Sequence, residues 1–153
     1  MTRFENLLCA TDFSQQALRA LEAALEVASE KAHLTLLHVY PPPGLLLPEG
    51  FVAATPQTYR ELIEAIDRSL EELRTRAART GLTITPIAVQ GHAASEICRV
   101  AREGHHDLIV VGTHGRTGIA RFMLGSVAEH VLRDAPCPVL VVRPVSEPTA
   151  HAA

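Results

Sequence analysis

The chain has 153 residues, 47% of them apolar, and a formal net charge of −3. That length and apolar content suit one domain around a single core, and the charge excludes the basic surface that nucleic acid or an anionic membrane would require. No run of about 18 apolar residues could span a bilayer, and the first residues lack the apolar stretch of a signal peptide. We expect a soluble, cytoplasmic protein with one domain over residues 1–145 and a flexible tail over residues 146–153.

The three cysteines, Cys9, Cys98 and Cys137, form no CxxC pair and are odd in number. This pattern is not a disulfide framework. We expect three reduced thiols that serve as small packing residues.

The first part of the chain predicts a strand, a helix and a second strand. Phe4–Ala10 has the apolar content of a buried strand. Ser14 can cap the helix that follows, whose apolar positions lie on one face as far as about Lys31. His33–Tyr40 is the predicted second strand, and it stops at a run of prolines.

A long loop and a long helix come next. The loop from Pro41 to Thr55 exceeds a simple connection, so its apolar residues suit a lid, a ligand wall or a contact surface, or could pack equally well under the next helix. Thr55 and Pro56 provide an N-cap and a first-turn proline, and Gly81 provides the stop. The helix between them is predicted to bury a stripe at steps of three and four: Tyr59, Leu62, Ile63, Ile66, Leu70, Leu73 and Ala77.

The rest of the chain continues to alternate strand and helix. Leu82–Gln90 is the predicted third strand, and Pro86 inside it indicates a sheet edge or a bulge. The remaining predicted elements are a helix from Ala93 or Ala94 to Glu103, a strand Leu108–Val111, a helix Ser126–Arg133 and a strand Val139–Val142.

This order of five strands and four helices predicts an α/β fold with an open, doubly wound parallel sheet and helices on both faces. An edge position for the third strand suits the strand order 3-2-1-4-5. In such sheets ligands bind at the carboxyl ends of the strands, where the strand order reverses. The predicted crevice therefore lies between the loop after strand 1, which contains Ala10, Thr11 and Asp12, and the loop that begins at Gly112.

A glycine pattern, Gly112-x-x-Gly115-x9-Gly125-Ser126, begins where the fourth strand ends. Glycine lets the backbone turn tightly and approach a ligand without a Cβ in the way. Gly125 and Ser126 open a helix, whose free N–H groups and dipole favour an anion. The pattern predicts a phosphate site, with Ser126 as helix N-cap, as phosphate donor, or as both.

Other polar residues of this region allow two interpretations each. His114 could bond phosphate or the loop backbone, and Arg116 and Arg121 could reach a polyphosphate or remain solvated. His105 and His106 precede Asp107, but their position after a helix favours a turn over a metal site.

Several known site chemistries do not fit the sequence. A P-loop needs a lysine inside its glycine pattern, and the chain's only lysine is Lys31. A phosphoacceptor domain would need an acidic cluster after strand 1 and a lysine after strand 5, but the sequence has a single Asp at the first place and no lysine at the second. A hydrolase nucleophile elbow would read Gly-x-Ser-x-Gly, which the residues around Ser126 do not.

Three separated segments resemble the universal stress protein family: Asp12-Phe13-Ser14, the glycine pattern, and Ala135-Pro136-Cys137-Pro138 with the apolar strand after it. The resemblance covers residues 3–144 and implies a usually dimeric, cytoplasmic protein of the adenine-nucleotide alpha hydrolase-like superfamily. Members with the complete glycine motif resemble ATP binders. One departure is Ala10, where ATP-binding relatives often have proline.

The resemblance also implies a role for particular residues. Asp12 would contact the ribose hydroxyls, the Val39 backbone would contact adenine, and the glycine loop with Ser126 and Val127 would wrap the phosphates of ATP, held with Mg²⁺. The complete predicted site consists of Ala10, Thr11, Asp12, Val39, Gly112, His114, Gly115, Arg116, Gly125, Ser126 and Val127.

We therefore expect an ATP-binding stress or regulatory protein without catalytic residues or a protein metal site. The alternatives are a slow nucleotide hydrolase or transfer enzyme that uses the same pocket, with Asp12 or His114 as the base, and a dimeric interaction protein that ignores nucleotides. In the predicted order Val139–Val142 is an exposed apolar edge, so we expect a homodimer that pairs this strand with its twin.

Overall fold

A computed structural model describes residues 4–43, 55–78, 81–114 and 124–144. These residues form β1 (Phe4–Ala10), α1 (Gln15–Val27), β2 (Ala28–Tyr40), α2 (Pro56–Ala77), β3 (Thr83–Gln90), α3 (Ala93–Glu103), β4 (Leu108–Gly112), α4 (Ser126–Asp134) and β5 (Val139–Val142). The predicted tail and most of the Pro41–Thr55 loop lie outside the described residues.

The strands form one parallel sheet in the order β3-β2-β1-β4-β5. This confirms the predicted doubly wound fold and the reversal of strand order between β1 and β4. Pro86 lies in the edge strand β3 beside Leu36, a position where a missing N–H can be tolerated.

Apolar side chains cover both faces of the sheet. Because successive strand residues point to opposite faces, Leu7 packs in the layer beneath α1 and α2, whereas Leu8 packs in the layer beneath α3 and α4. Both leucines are fully buried. Helices on both faces leave the ends of the strands as the place where loops can meet a ligand.

The end of α1 was predicted wrongly. The helix stops at Val27 rather than near Lys31, and β2 begins at Ala28 rather than His33. Ala28 and Ala32 are four residues apart, which fits a helical stripe, but both are buried in extended chain beside β1. No glycine or proline marks this boundary, so the sequence pattern could not reveal it.

The Thr55 cap of α2 is confirmed, since its hydroxyl accepts a hydrogen bond from the Thr58 N–H at 3.2 Å. Leu62, predicted on the buried stripe, is 45% exposed. The 22 residues of α2 span about 33 Å, longer than the roughly 27 Å of the eight-residue β3. Ile63 is partly buried against the core, and the buried positions begin at Ile66. None of the described helices is long and apolar enough to cross a membrane.

The cysteines are free thiols. Complete burial raises the pKa of Cys9 to about 12, and burial is also the main cause of the raised pKa of Cys98 and of Cys137. All three are therefore neutral packing groups at pH 7, as the sequence predicts.

The residues after α3 act as a structural turn. His106 is 8% exposed, and its Nε2 lies 2.8 Å from the hydroxyl of Thr35. The Asp107 carboxylate accepts hydrogen bonds from the backbone N–H groups of Glu5 and Asn6, at 2.8 and 3.1 Å. Asp107 thereby connects the turn to the start of β1, at the end of the strands opposite the predicted crevice.

Candidate functional site

A cavity of about 530 Å³ opens at the carboxyl ends of β1, β2 and β4. Nine of the eleven predicted site residues line it: Ala10, Thr11, Asp12, Val39, Gly112, His114, Gly125, Ser126 and Val127. The other two, Gly115 and Arg116, lie outside the described residues, as does Arg121. The structure thus brings three separated segments of the chain to one place.

Three hydrogen bonds help to hold the loop between β1 and α1. The Thr11 N–H donates to the Leu37 carbonyl at 2.8 Å, and one Asp12 carboxylate oxygen accepts from the Ser14 N–H at 3.0 Å. The Ser14 hydroxyl accepts from the Ala17 N–H at 3.2 Å, which confirms the predicted N-cap. The loop therefore presents Asp12 from a fixed turn at the mouth of β1.

A histidine that the sequence analysis did not single out supports the same loop. His38 Nδ1 lies 2.8 Å from the Thr11 carbonyl oxygen, and its ring lies on that of Phe13 with centroids 4.5 Å apart. Phe13 has a φ of 65°, in the left-handed region that large side chains seldom adopt. The only signal in the sequence was a histidine between two apolar residues near the end of a predicted strand.

The base of the cavity is mostly apolar. Leu37 and Val39 of β2 form one wall, and Ala93 and Ile97 of α3 face the same space. The α3 residues were predicted as helix but not as part of a site, because their apolar spacing suggested only core packing. An apolar slot beside a backbone edge suits a flat, uncharged ring such as a nucleobase.

A backbone hydrogen bond joins the two described ends of the glycine loop. The Gly125 N–H donates to the Thr113 carbonyl at 2.7 Å, and the Thr113 N–H donates to the Val142 carbonyl at 3.1 Å. A Cβ on Gly125 would lie 2.6 Å from that Thr113 oxygen. The sequence suggested that this glycine makes room for a ligand. That reason is incomplete, because the nearby Thr113 carbonyl already leaves no room for a Cβ at position 125.

The start of α4 differs from one prediction. Gly125 is the N-cap, without a side-chain cap bond, and Ser126 is the first helical residue. Ser126 is therefore not the N-cap, because Gly125 has the extended backbone of that position. The first helical hydrogen bond runs from the Glu129 N–H to the Gly125 carbonyl. The N–H groups of the first turn before it have no partner within the helix and suit an anion in the cavity.

His114 lies in the same part of the cavity. Its Nδ1 is 3.1 Å from the Thr113 hydroxyl, and its buried Nε2 has no hydrogen-bond partner among the described residues. A buried polar nitrogen without a partner is uncommon and costly in a folded protein. A ligand oxygen at this end of the cavity would satisfy it.

Residues 3–143 match the model of the universal stress protein family. The chain belongs to this family. It is 35% identical over 150 residues to universal stress protein YxiE of Bacillus subtilis, covering 92% of this chain and 99% of that one. The fold resembles the solved structure of MJ0577 from Methanocaldococcus jannaschii, with a TM-score of 0.83, 27% identity, and coverage of 95% of this chain and 100% of that one. A universal stress protein in complex with cAMP has a TM-score of 0.68, 28% identity, and coverage of 93% and 99%.

Proposed function

We propose that this universal stress protein binds ATP in the cavity at the ends of β1, β2 and β4, as a regulatory nucleotide-binding protein. The observation that carries the proposal is the convergence of the loop after β1, Val39 of β2 and the two described ends of the glycine motif on one cavity that ends at the first turn of α4. The structure of a family member in complex with cAMP supports an adenine nucleotide as the ligand. A stress-response role and a cytoplasmic location rest on the family resemblance alone and stay predictions.

Each part of ATP has a suitable neighbour in the proposed site. The apolar slot beside Val39 would take adenine, and Asp12 would accept hydrogen bonds from the ribose hydroxyls. The phosphates would lie against His114 and the first turn of α4. Gly115 and Arg116 belong to the proposal through the glycine motif. The cavity volume of about 530 Å³ falls within the usual range for small-molecule sites, roughly 300 to 1,000 Å³.

The proposed site would receive Mg²⁺ with the nucleotide. Asp12 is the one carboxylate among the described residues that line the cavity, too few for a protein cage around this ion. Mg²⁺ commonly keeps several waters and binds through the phosphates of a nucleotide. The phosphate oxygens and water would therefore supply most of its ligands.

We propose binding rather than turnover as the main activity. A hydrolase would need a general base close to the γ-phosphate, and Asp12 and His114 are the candidates. One Asp12 oxygen is engaged with the Ser14 N–H, and Asp12 lies at the proposed ribose end. Product analysis after incubation with labelled ATP and Mg²⁺ tests this point directly.

ATP with Mg²⁺ is expected to raise the melting temperature by about 5 to 10 °C. At 1 mM ATP and a dissociation constant of about 10 μM, mass action adds roughly 2.7 kcal/mol to the free energy of unfolding. Differential scanning fluorimetry measures the shift, with Mg²⁺ alone as the blank. GTP should give a smaller shift because a backbone edge at Val39 presents groups suited to adenine. An unchanged melting temperature at millimolar ATP would contradict the proposal.

We also propose a homodimer through β5, which lies at the edge of the sheet. The carbonyls of Pro138 and Val142 accept hydrogen bonds from the N–H groups of Ile109 in β4 and Thr113 just after it, so alternate residues along this segment face β4. The N–H and C=O groups of Val139 and Val141 then face away from the sheet. A second copy that presents the same groups antiparallel would pair with them and cover the apolar edge.

Val141→Pro is expected to shift the protein from dimer to monomer. Proline removes the outward N–H of this residue without removing a donor from the ladder with β4. Light scattering should give about twice the monomer mass of 16.5 kDa for the wild type and a mass near the monomer for the variant. Val141→Thr is the matched control, because it keeps the N–H and the branched Cβ. A wild type that is monomeric at tens of micromolar would refute the dimer.

A further inference from the structure

We propose that His38 is a positioning residue of the nucleotide site, which holds the loop that carries Asp12 without contacting the ligand itself. The ligand part of this proposal rests on the proposed ATP site. Leu37 and Val39 line the cavity, and His38 lies between them on the strand. Because successive residues of a strand point to opposite faces, the His38 ring lies on the face away from the cavity.

Two consecutive residues of β2 hold the two peptide groups on either side of Thr11. The Thr11 N–H donates to the Leu37 carbonyl at 2.8 Å, and the Thr11 carbonyl oxygen lies 2.8 Å from His38 Nδ1. A carbonyl oxygen only accepts, so Nδ1 carries the proton in this hydrogen bond. Thr11 is buried, and without His38 its carbonyl would lose this donor. The bond therefore fixes the peptide that leads directly into Asp12.

His38 also supports a strained residue. The left-handed backbone of Phe13, with φ at 65°, costs a non-glycine residue on the order of 1 kcal/mol or more. The Phe13 N–H donates to the Thr11 hydroxyl at 3.0 Å, and the Phe13 ring packs on the His38 ring. Such a conformation persists only where its surroundings hold it. Asp12 lies between the two residues that His38 contacts, Thr11 and Phe13.

The contacts of His38 predict that its loss affects nucleotide affinity more than folding. Loss of His38 would release the Thr11 carbonyl and the Phe13 ring, and the turn between Asp12 and Ser14 would loosen. The sheet keeps its other hydrogen bonds, including those between β2 and its neighbours. Nucleotide affinity is therefore expected to fall while the protein remains folded.

The test compares ATP affinity by calorimetry in His38→Leu, His38→Asn and His38→Phe. His38→Leu removes both the donor and the ring and should weaken binding roughly tenfold. His38→Asn can place an amide donor near the former Nδ1, and His38→Phe keeps a ring against Phe13, so each should recover part of the affinity. His33→Gln is the matched control, because His33 lies on the same strand and bonds Thr85 at 2.8 Å, far from the carboxyl end of the strand where the cavity opens.

Amide hydrogen exchange provides a readout that does not need the ligand. The N–H groups of Phe13 and Ser14 should exchange faster in His38→Leu than in the wild type. Their exchange rates should be unchanged in His33→Gln. Unchanged affinity and exchange in His38→Leu would overturn the proposal, as would an equal loss of affinity in His33→Gln. If the wild type fails to bind ATP, the ATP proposal fails, and the exchange rates alone then decide whether His38 holds the loop.

Discussion

Gly125→Val is expected to weaken ATP binding by at least about a hundredfold while leaving the sheet folded. The new Cβ would lie 2.6 Å from the Thr113 carbonyl oxygen, so the start of α4 and the end of β4 must move apart. Both segments face the proposed phosphate end of the cavity. Loss of two charge-assisted hydrogen bonds accounts for about a hundredfold in affinity. Calorimetric titration measures the affinity, and circular dichroism checks the fold.

Leu132→Val is the control on the same helix. Leu132 is 47% exposed and is not among the described residues that line the cavity, so the affinity of this variant should stay close to that of the wild type. Wild-type affinity in Gly125→Val would show that the first turn of α4 is not the phosphate site. Equal losses in both variants would instead indicate a general effect of valine substitution at this helix.

His106→Leu is expected to lower the free energy of unfolding by about 1 to 3 kcal/mol. The Thr35 hydroxyl, in a residue 2% exposed, bonds His106 Nε2 and would be left without this partner in the core. Adding Thr35→Val removes the unpaired hydroxyl and should restore part of the stability. Urea unfolding of the two single variants and the double variant measures the coupling. Strictly additive losses would contradict a direct interaction between the two side chains.

The same histidine gives stability a defined pH dependence. Burial lowers the pKa of His106 below its ordinary 6.5; the carbonyls of Val100 and Ala101 oppose the shift, although Nδ1 makes no hydrogen bond of good geometry. Between the lowered pKa and 6.5 the unfolded chain binds more protons than the folded one. The free energy of unfolding therefore falls as pH drops below about 6.5, by up to roughly 1.4 kcal/mol per pH unit.

Urea unfolding at a series of pH values isolates this contribution. His106→Leu lacks the titrating ring and should show a shallower loss of stability between about pH 6.5 and 5 than the wild type. The other histidines are present in both proteins, so the difference between the two curves belongs to position 106. Parallel curves would refute a buried, neutral His106.

The fold was predictable because its signals are local. Alternating strands and helices, the caps at Ser14 and Thr55, and the proline in β3 sufficed for the element order and the strand order. The end of α1 and the exposure of Leu62 were not predictable. They depend on how far the sheet reaches along each helix, which is a property of the packed structure.

The sequence predicted which residues line the candidate site, but not the contacts that hold them in place. The glycine pattern and Asp12 stand at the ends of predicted strands, so topology alone brought them together. The bond between His38 and Thr11 joins residues 27 positions apart, and no periodicity carries such information. The contact that requires Gly125 likewise joins the two ends of a loop, and it appears only when the backbone is in place.

The hydrogen bond from the Thr113 N–H to the Val142 carbonyl joins the proposed phosphate loop to the proposed dimer strand. A ligand that restrains Thr113 also restrains the last residue of β5, so one backbone hydrogen bond connects the two proposed binding events. Any free energy of coupling between them must be reciprocal. A nucleotide that tightens the dimer by some factor would itself bind the dimer more tightly than the monomer by that factor, which would make cellular protein concentration a determinant of nucleotide occupancy.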